Sequence, residues 1–247
     1  MTIKILHLYK HLMNLYGEYA NVAVLKVHLE DQGAKVILDS FKSISDVTDL
    51  SSYDFIYIGA GSERSQKVAL DDLIQRKKEI KALAKKGVPM LLTGNAIEMI
   101  GKTITDCEGN VYDGLAIDSF TTVEQNVKRI QSDCYANTSI IDTPVVGYVN
   151  KSSSITGITT PLFEMLYGPG NNEKTNKEGY HKNNIIGTYV IGPVLVKNPK
   201  FMDYLVNLLC SKQDKNFQLK HEEYPYETEA YRTSEEKLLA RMAEEQQ

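Results

Sequence analysis

The chain lacks any apolar run near the roughly 18–20 residues that a membrane helix needs, so no membrane span is expected. It is poor in cysteine: Cys107, Cys134 and Cys210 form no metal-ligand spacing. Their odd number fits a reducing compartment better than a disulfide framework. No metal and no organic cofactor is indicated. Excess positive charge is missing too. Against 28 basic side chains stand 32 acidic ones, and a net charge of -4 argues against a nucleic-acid surface. Met1-Thr2-Ile3-Lys4-Ile5 opens directly into a strand without the pattern of a signal peptide, so a cytoplasmic location is expected. The sequence has no internal repeat, low-complexity tract or clean linker.

What is present suits a folded core. Of the 247 residues 42% are hydrophobic and 24% charged, an ordinary composition for an α/β domain. Residues 3–8 read as a strand, with His7 a structural histidine inside it. Asn21 can N-cap a helix over 22–32 that Gly33 ends. Strands over 34–39 and 55–58 follow. The second of these runs into Gly59-Ala60-Gly61-Ser62-Glu63-Arg64, and a helix is expected over about 68–86. Backbone amides freed by small residues at such a turn suit an anion or a developing oxyanion, though on the turn alone a plain strand-to-helix turn is the favoured account. The turn is no dinucleotide fingerprint, because Arg64 stands where the third glycine is needed. It also lacks the Gly-Lys-Ser/Thr ending of a phosphate-binding loop.

The stretch 87–101 organises the rest. Val88 to Leu92 is an apolar strand, Thr93-Gly94-Asn95-Ala96 turns sharply, and Ile97-Glu98-Met99-Ile100 opens a helix. A strand breaking into a tight turn and a helix is where α/β enzymes place nucleophiles, beside amides able to hold an oxyanion. Here the apex is Gly94, which has no side chain. Beyond it, Glu108-Gly109-Asn110 is turn chemistry for a hairpin over 103–113. Short strands are expected over 123–129, 145–148, 154–156 and 162–167, then an exposed loop over 168–173 and a last strand over 185–190. A helix over 201–210 is amphipathic at Phe201, Leu205, Leu208 and Leu209. Residues 1–211 read as the folded domain. Residues 212–247 read as a polar tail whose terminal helix, patterned at Leu238, Leu239 and Met242, is solvated or loosely docked, or else docks a partner.

Three segments in order resemble the class I glutamine amidotransferase-like family of the cobyric acid synthase (CobB/CobQ) type. Asn14-Leu15-Tyr16-Gly17-Glu18 with Asn21 is similar to the family's N-L-Y-G-D…N opening, and residues 59–64 to its G-G-G-S-D-R loop. Gly170-Asn171-Asn172, Glu178-Gly179 and Gly187-Thr188-Tyr189 with Gly192-Pro193 match the third. The resemblance implies a flavodoxin-like α/β fold: a mostly parallel central sheet with helices on both faces and a β-rich extension. It also implies a branch of glutaminase subunits that serve a Mur-ligase-like (MurT-like) synthetase in amidating cell-wall precursors. In that chemistry a Cys thiolate attacks the glutamine amide, a His relays protons, and ammonia passes to the synthetase. Carried over by position, the nucleophile falls on Gly94, the family's elbow Gln on Glu98 and the His on Ile191; an Asn-His pair becomes Asn150-Lys151. Arg129 falls where the branch holds a glutamine-contacting Arg.

Glycine offers no nucleophile and isoleucine titrates nothing. The first expectation is therefore a subunit without glutaminase of its own, keeping a carboxylate- or oxyanion-like site of Gly59, Ala60, Gly61, Ser62, Gly94, Asn95 and Arg129. A second reading is a small-molecule module that binds glutamine or another small carboxylate there. A third keeps activity through a displaced pair, Cys107 with His181, because none of His7, His11, His28, His181 and His221 occupies the family position.

Overall fold

A computed structural model describes residues 1–126, 129–220 and 224–245. In chain order the first half runs β1 (Thr2–Leu8), α1 (Ala20–Asp31), β2 (Lys35–Phe41), β3 (Phe55–Ile58), α2 (Glu63–Ile74), α3 (Lys77–Lys85) and β4 (Met90–Thr93). A 3-10 segment over Gly94–Ile100 follows, then β5 (Thr103–Thr105), β6 (Val111–Asp113), β7 (Thr121–Glu124), β8 (Ile130–Asn137) and β9 (Val145–Lys151). The second half continues with β10 (Ser153–Thr156), β11 (Phe163–Tyr167), β12 (Lys177–Glu178), β13 (Tyr180–Lys182), β14 (Ile185–Thr188) and β15 (Val190–Ile191). The helices α4 (Val194–Lys197), α5 (Pro199–Gln213) and α6 (Pro225–Glu245) close the chain.

Among the described residues the strands form three sheets. The largest has the order β13-β14-β4-β3-β1-β2, parallel throughout except for the antiparallel edge strand β13. Its inner strands β3, β4 and β14 are buried along their whole length and mostly apolar, as strands covered on both faces must be. From β1 the chain steps outward to β2, and from β3 it steps the other way to β4. With right-handed crossovers, α1 and the α2–α3 pair therefore fall on opposite faces. The fold is the flavodoxin-like α/β arrangement that the resemblance implies. The remaining strands form the four-stranded sheet β10-β7-β5-β6 and the five-stranded sheet β12-β11-β8-β9-β15, which make the β-rich extension. The larger of two buried clusters among the described residues runs from Ile3, Ile5 and Leu91 through Ile97 and Ile100 to Val149, Phe163 and Met165.

Several local expectations give way to tertiary contacts. Asn21 is no N-cap: it lies inside α1, buried, and its side chain accepts from Leu195 N at 2.9 Å and donates to the Tyr57 hydroxyl at 2.9 Å. The helix expected over 68–86 starts at Glu63, where Ser62 caps it by accepting from Ser65 N, and breaks before α3. The elbow helix is a 3-10 segment whose residues are almost all buried. Of the strand expected over 123–129 only residues 123–124 belong to β7, which begins at Thr121, and 127–128 lie outside the described residues. Strand β8 escaped notice because alternate positions such as Gln131 and Asp133 are polar, which a half-exposed strand permits. The loop over 168–173 is not wholly exposed, for Gly170 and Asn171 are buried and the Asn171 amide bonds both backbone atoms of Gly179. The last strand splits: β14 pairs with β4, and β15 leaves to pair antiparallel with β9.

Candidate functional site

The carboxyl ends of parallel strands, where the order changes direction, are where α/β folds open a crevice. In this chain β3 ends in Gly59-Ala60-Gly61, β4 ends at Thr93, and β14 passes through Tyr189 into β15. That last crossing carries Ile191 over to the end of β4. Gly94 has φ +60, the left-handed conformation of a strained elbow apex. A Cβ built on it would stand 3.5 Å from Ile191 Cγ2. The two positions that the resemblance assigns to nucleophile and base thus face each other as glycine and isoleucine.

Of the residues expected in the site, Ala60, Gly61, Gly94, Asn95 and Arg129 line one cleft together, with Glu63, Glu98, Lys151, Tyr189 and Ile191 beside them. Gly59 and Ser62 are not part of it. Gly59 is pressed on Met13, whose carbonyl oxygen a Cβ would meet at 2.6 Å, and Ser62 is the cap of α2. The cleft keeps about 10 Å³ of space, room for about one water.

The amides are engaged as well. Gly61 N–H donates to Asn95 Oδ1 at 3.0 Å, so an oxyanion donor is covered by the chain's own side chain. Gln66 Nε2 donates to Asn95 O at 2.6 Å and to Glu98 Oε2 at 2.7 Å, and the Tyr189 hydroxyl donates to Glu98 Oε1 at 2.8 Å. Burial pushes the Glu98 carboxyl upward against these hydrogen bonds. Asn95 Nδ2 is buried and, among the described residues, has no partner.

Arg129 pairs with Glu63 and donates to Asn150 Oδ1 at 2.8 Å. Burial works against ionisation of Glu63, but the guanidinium outweighs it and holds that carboxyl below its ordinary range. Lys151 replaces an imidazole with a buried ammonium. Its Nζ donates to the carbonyls of Gly170 and Asn171 and lies 4.8 Å from the centre of the Tyr189 ring. Burial lowers it to about 8, against the pull of Glu178 and Glu98.

Sequence reasoning missed Glu18. Its carboxyl, fully buried, accepts from the Thr93 hydroxyl, from Asn21 Nδ2 at 3.1 Å and from Gly192 N at 3.1 Å. It therefore bridges the residue before Gly94 and the residue after Ile191. In a nucleophile–base pair a buried carboxylate there would orient the base; with Ile191 it braces backbone instead. Burial raises its pKa. The only available signal was its place in the Asn14–Glu18 segment. Cys107 is exposed on the β5–β6 hairpin and His181 sits on β13, and neither lines the cleft. Among the described residues no group of three or more His, Cys, Asp or Glu could hold a metal. No helix there is long and apolar enough to cross a membrane.

The sequence model of the CobB/CobQ-like glutamine amidotransferase domain matches residues 4–199. The GatD subunit of the glutamine-hydrolysing lipid II isoglutaminyl synthase of Streptococcus pneumoniae is 30% identical over 214 residues, covering 85% of this chain and 82% of that one. The corresponding Staphylococcus aureus subunit is 29% identical over 218 residues, 88% of each chain. Among solved structures, PurLQS of Thermotoga maritima superposes with a TM-score of 0.56 at 10% identity, over 86% of this chain and 99% of that one. The glutaminase domain of Trypanosoma brucei CTPS with bound acivicin gives 0.53 at 9% identity, over 90% and 98%. At such identities the structural likeness speaks for the fold alone.

Proposed function

Because the chain belongs to the CobB/CobQ-like glutamine amidotransferase domain family, we propose that it is a GatD-type subunit without glutaminase of its own. In this reading it binds and positions a Mur-ligase-like (MurT-like) synthetase that amidates a cell-wall precursor. The observation that carries it is the facing of Gly94 and Ile191, 3.5 Å from the Cβ position of one to the side chain of the other. Covalent glutamine hydrolysis needs a thiolate to attack the amide carbon and a base to carry the proton to departing ammonia. Neither group is present at these positions, and the Gly61 amide is covered by Asn95. The similarity to GatD subunits supports the choice of partner and pathway.

The test is glutamate release from glutamine by the purified protein, alone and mixed with its Mur-ligase-like partner. The expected result is a stable complex and no release above the reagent blank from the chain alone. Robust release that substitutions around Gly94 abolish would overturn the proposal.

A further inference from the structure

Resting on that reading, we infer that Ala60 closes the elbow: its methyl group occupies the space that a side chain at position 94 would need. A Cβ built on Gly94 would overlap the Ala60 Cβ, nearer than real Cβ atoms come, and would stand at a tight 3.1 Å from the Ala60 Cα. The neighbours of Ala60 have no such latitude. At Gly59 a Cβ would meet the Met13 carbonyl oxygen at 2.6 Å, and at Gly61 it would run into the Met13 sulfur and lie 3.0 Å from Leu12 O. Within Gly59-Ala60-Gly61 only the middle residue has room for a methyl group, and it has that room because position 94 has none.

Ala60 cannot simply retreat. Its carbonyl accepts from Leu15 N at 2.9 Å, and the next amide, Gly61 N–H, is held by Asn95 Oδ1 at 3.0 Å. Its own side chain is buried. Both bonds hold the peptide unit that joins Ala60 to Gly61, immediately after the methyl group. Losing the nucleophile therefore involves both walls of the cleft, and restoring a side chain at 94 requires removing one at 60. Gly94→Cys by itself does not rebuild a usable elbow; Ala60→Gly is its precondition.

A thermal-melting cycle tests this without reference to turnover. Gly94→Ala is made in the wild-type background and in the Ala60→Gly background. The left-handed φ of residue 94 penalises alanine in both, so that contribution cancels, and what differs is the overlap with the methyl group. The expected loss is roughly 5 °C or more in the wild-type background, from overpacking of a buried site, and less than half of it once Ala60 is glycine. Equal losses in both backgrounds, or no folded protein in either, would overturn the inference. Gly61→Ala, whose Cβ meets Met13 instead, serves as the control: Ala60→Gly should leave its loss unchanged. Relief of both variants alike would show general loosening and also overturn it. Glutamine turnover by the wild-type chain would sink the proposed function while leaving this cycle to be read as before.

Discussion

Lys151 and Glu178 show how burial, more than pairing, sets charge inside this molecule. Glu178 accepts from the Tyr189 amide at 2.7 Å and from the Thr188 hydroxyl at 2.8 Å, yet burial still raises its carboxyl to about 7. A raised folded-state value means that protonated Glu178 stabilises the fold. That contribution is complete below the unfolded value of 4.5 and is lost as pH rises through about 7. His7 works the other way. Burial and Lys10 lower it to about 4, so its contribution falls away as pH drops below 6.5 toward 4. In Glu178→Gln the amide oxygen can still accept from Tyr189 N–H while Nε2 donates to Thr188 Oγ1, and the titration is removed. Relative to wild type, the variant should gain on the order of a few kcal/mol between pH 4.5 and 7. Urea unfolding at both ends of that interval measures it, and an unchanged difference would show that Glu178 does not titrate there.

At the scale of elements, α6 is tied down more firmly than its polar sequence suggests. Leu238 packs on Tyr135 and Val146, the Tyr231 hydroxyl donates to Pro144 O at 2.9 Å, and the Tyr135 hydroxyl donates to Glu235 Oε1 at 2.8 Å. Ahead of the helix, Lys220 exchanges two backbone hydrogen bonds with the Gln32 amide, and His28 contacts Glu227 at 3.1 Å. The ion pair of Arg241 with Asp133 is solvent-exposed and adds little. The apolar contact therefore dominates. Leu238→Ala should cost about 2 kcal/mol, the lower end for a leucine in a small cluster, and should speed amide hydrogen exchange along α6 before it affects β8. A cost near zero would mean that the helix is held by its polar contacts.

At the scale of the whole molecule, the parallel sheet and the β-rich extension share one core. Leu91 and Ile97 from the elbow and Val149, Phe163 and Met165 from the five-stranded sheet belong to the same buried cluster. The elbow is the joint between them: Gly187 packs so tightly on the 3-10 segment that a Cβ there would lie 2.6 Å from Ile97 Cγ1. Unfolding one sheet strips the apolar cover from the other. Calorimetry should therefore show a single endotherm. Two resolved transitions would show that the extension unfolds on its own.

The sequence by itself determined the strand–helix alternation, the tight turn after β4, the β5–β6 hairpin, and the absence of a thiol at 94 and an imidazole at 191. These are readable because periodicity, turn residues and the identity of a missing side chain are local facts. Tertiary structure decided what those absences mean. It drew Asn21 from a helix cap into a buried bond with Leu195, turned Arg129 toward Glu63, and brought Lys151 under the loop at Gly170 and Asn171. It also set Ala60 against Gly94 and laid Asn95 over the Gly61 amide. The physical reason is that each of these contacts joins residues far apart in the chain, on different elements of the fold. Their strength depends on close packing and on satisfying buried polar atoms, which no window along the chain can express.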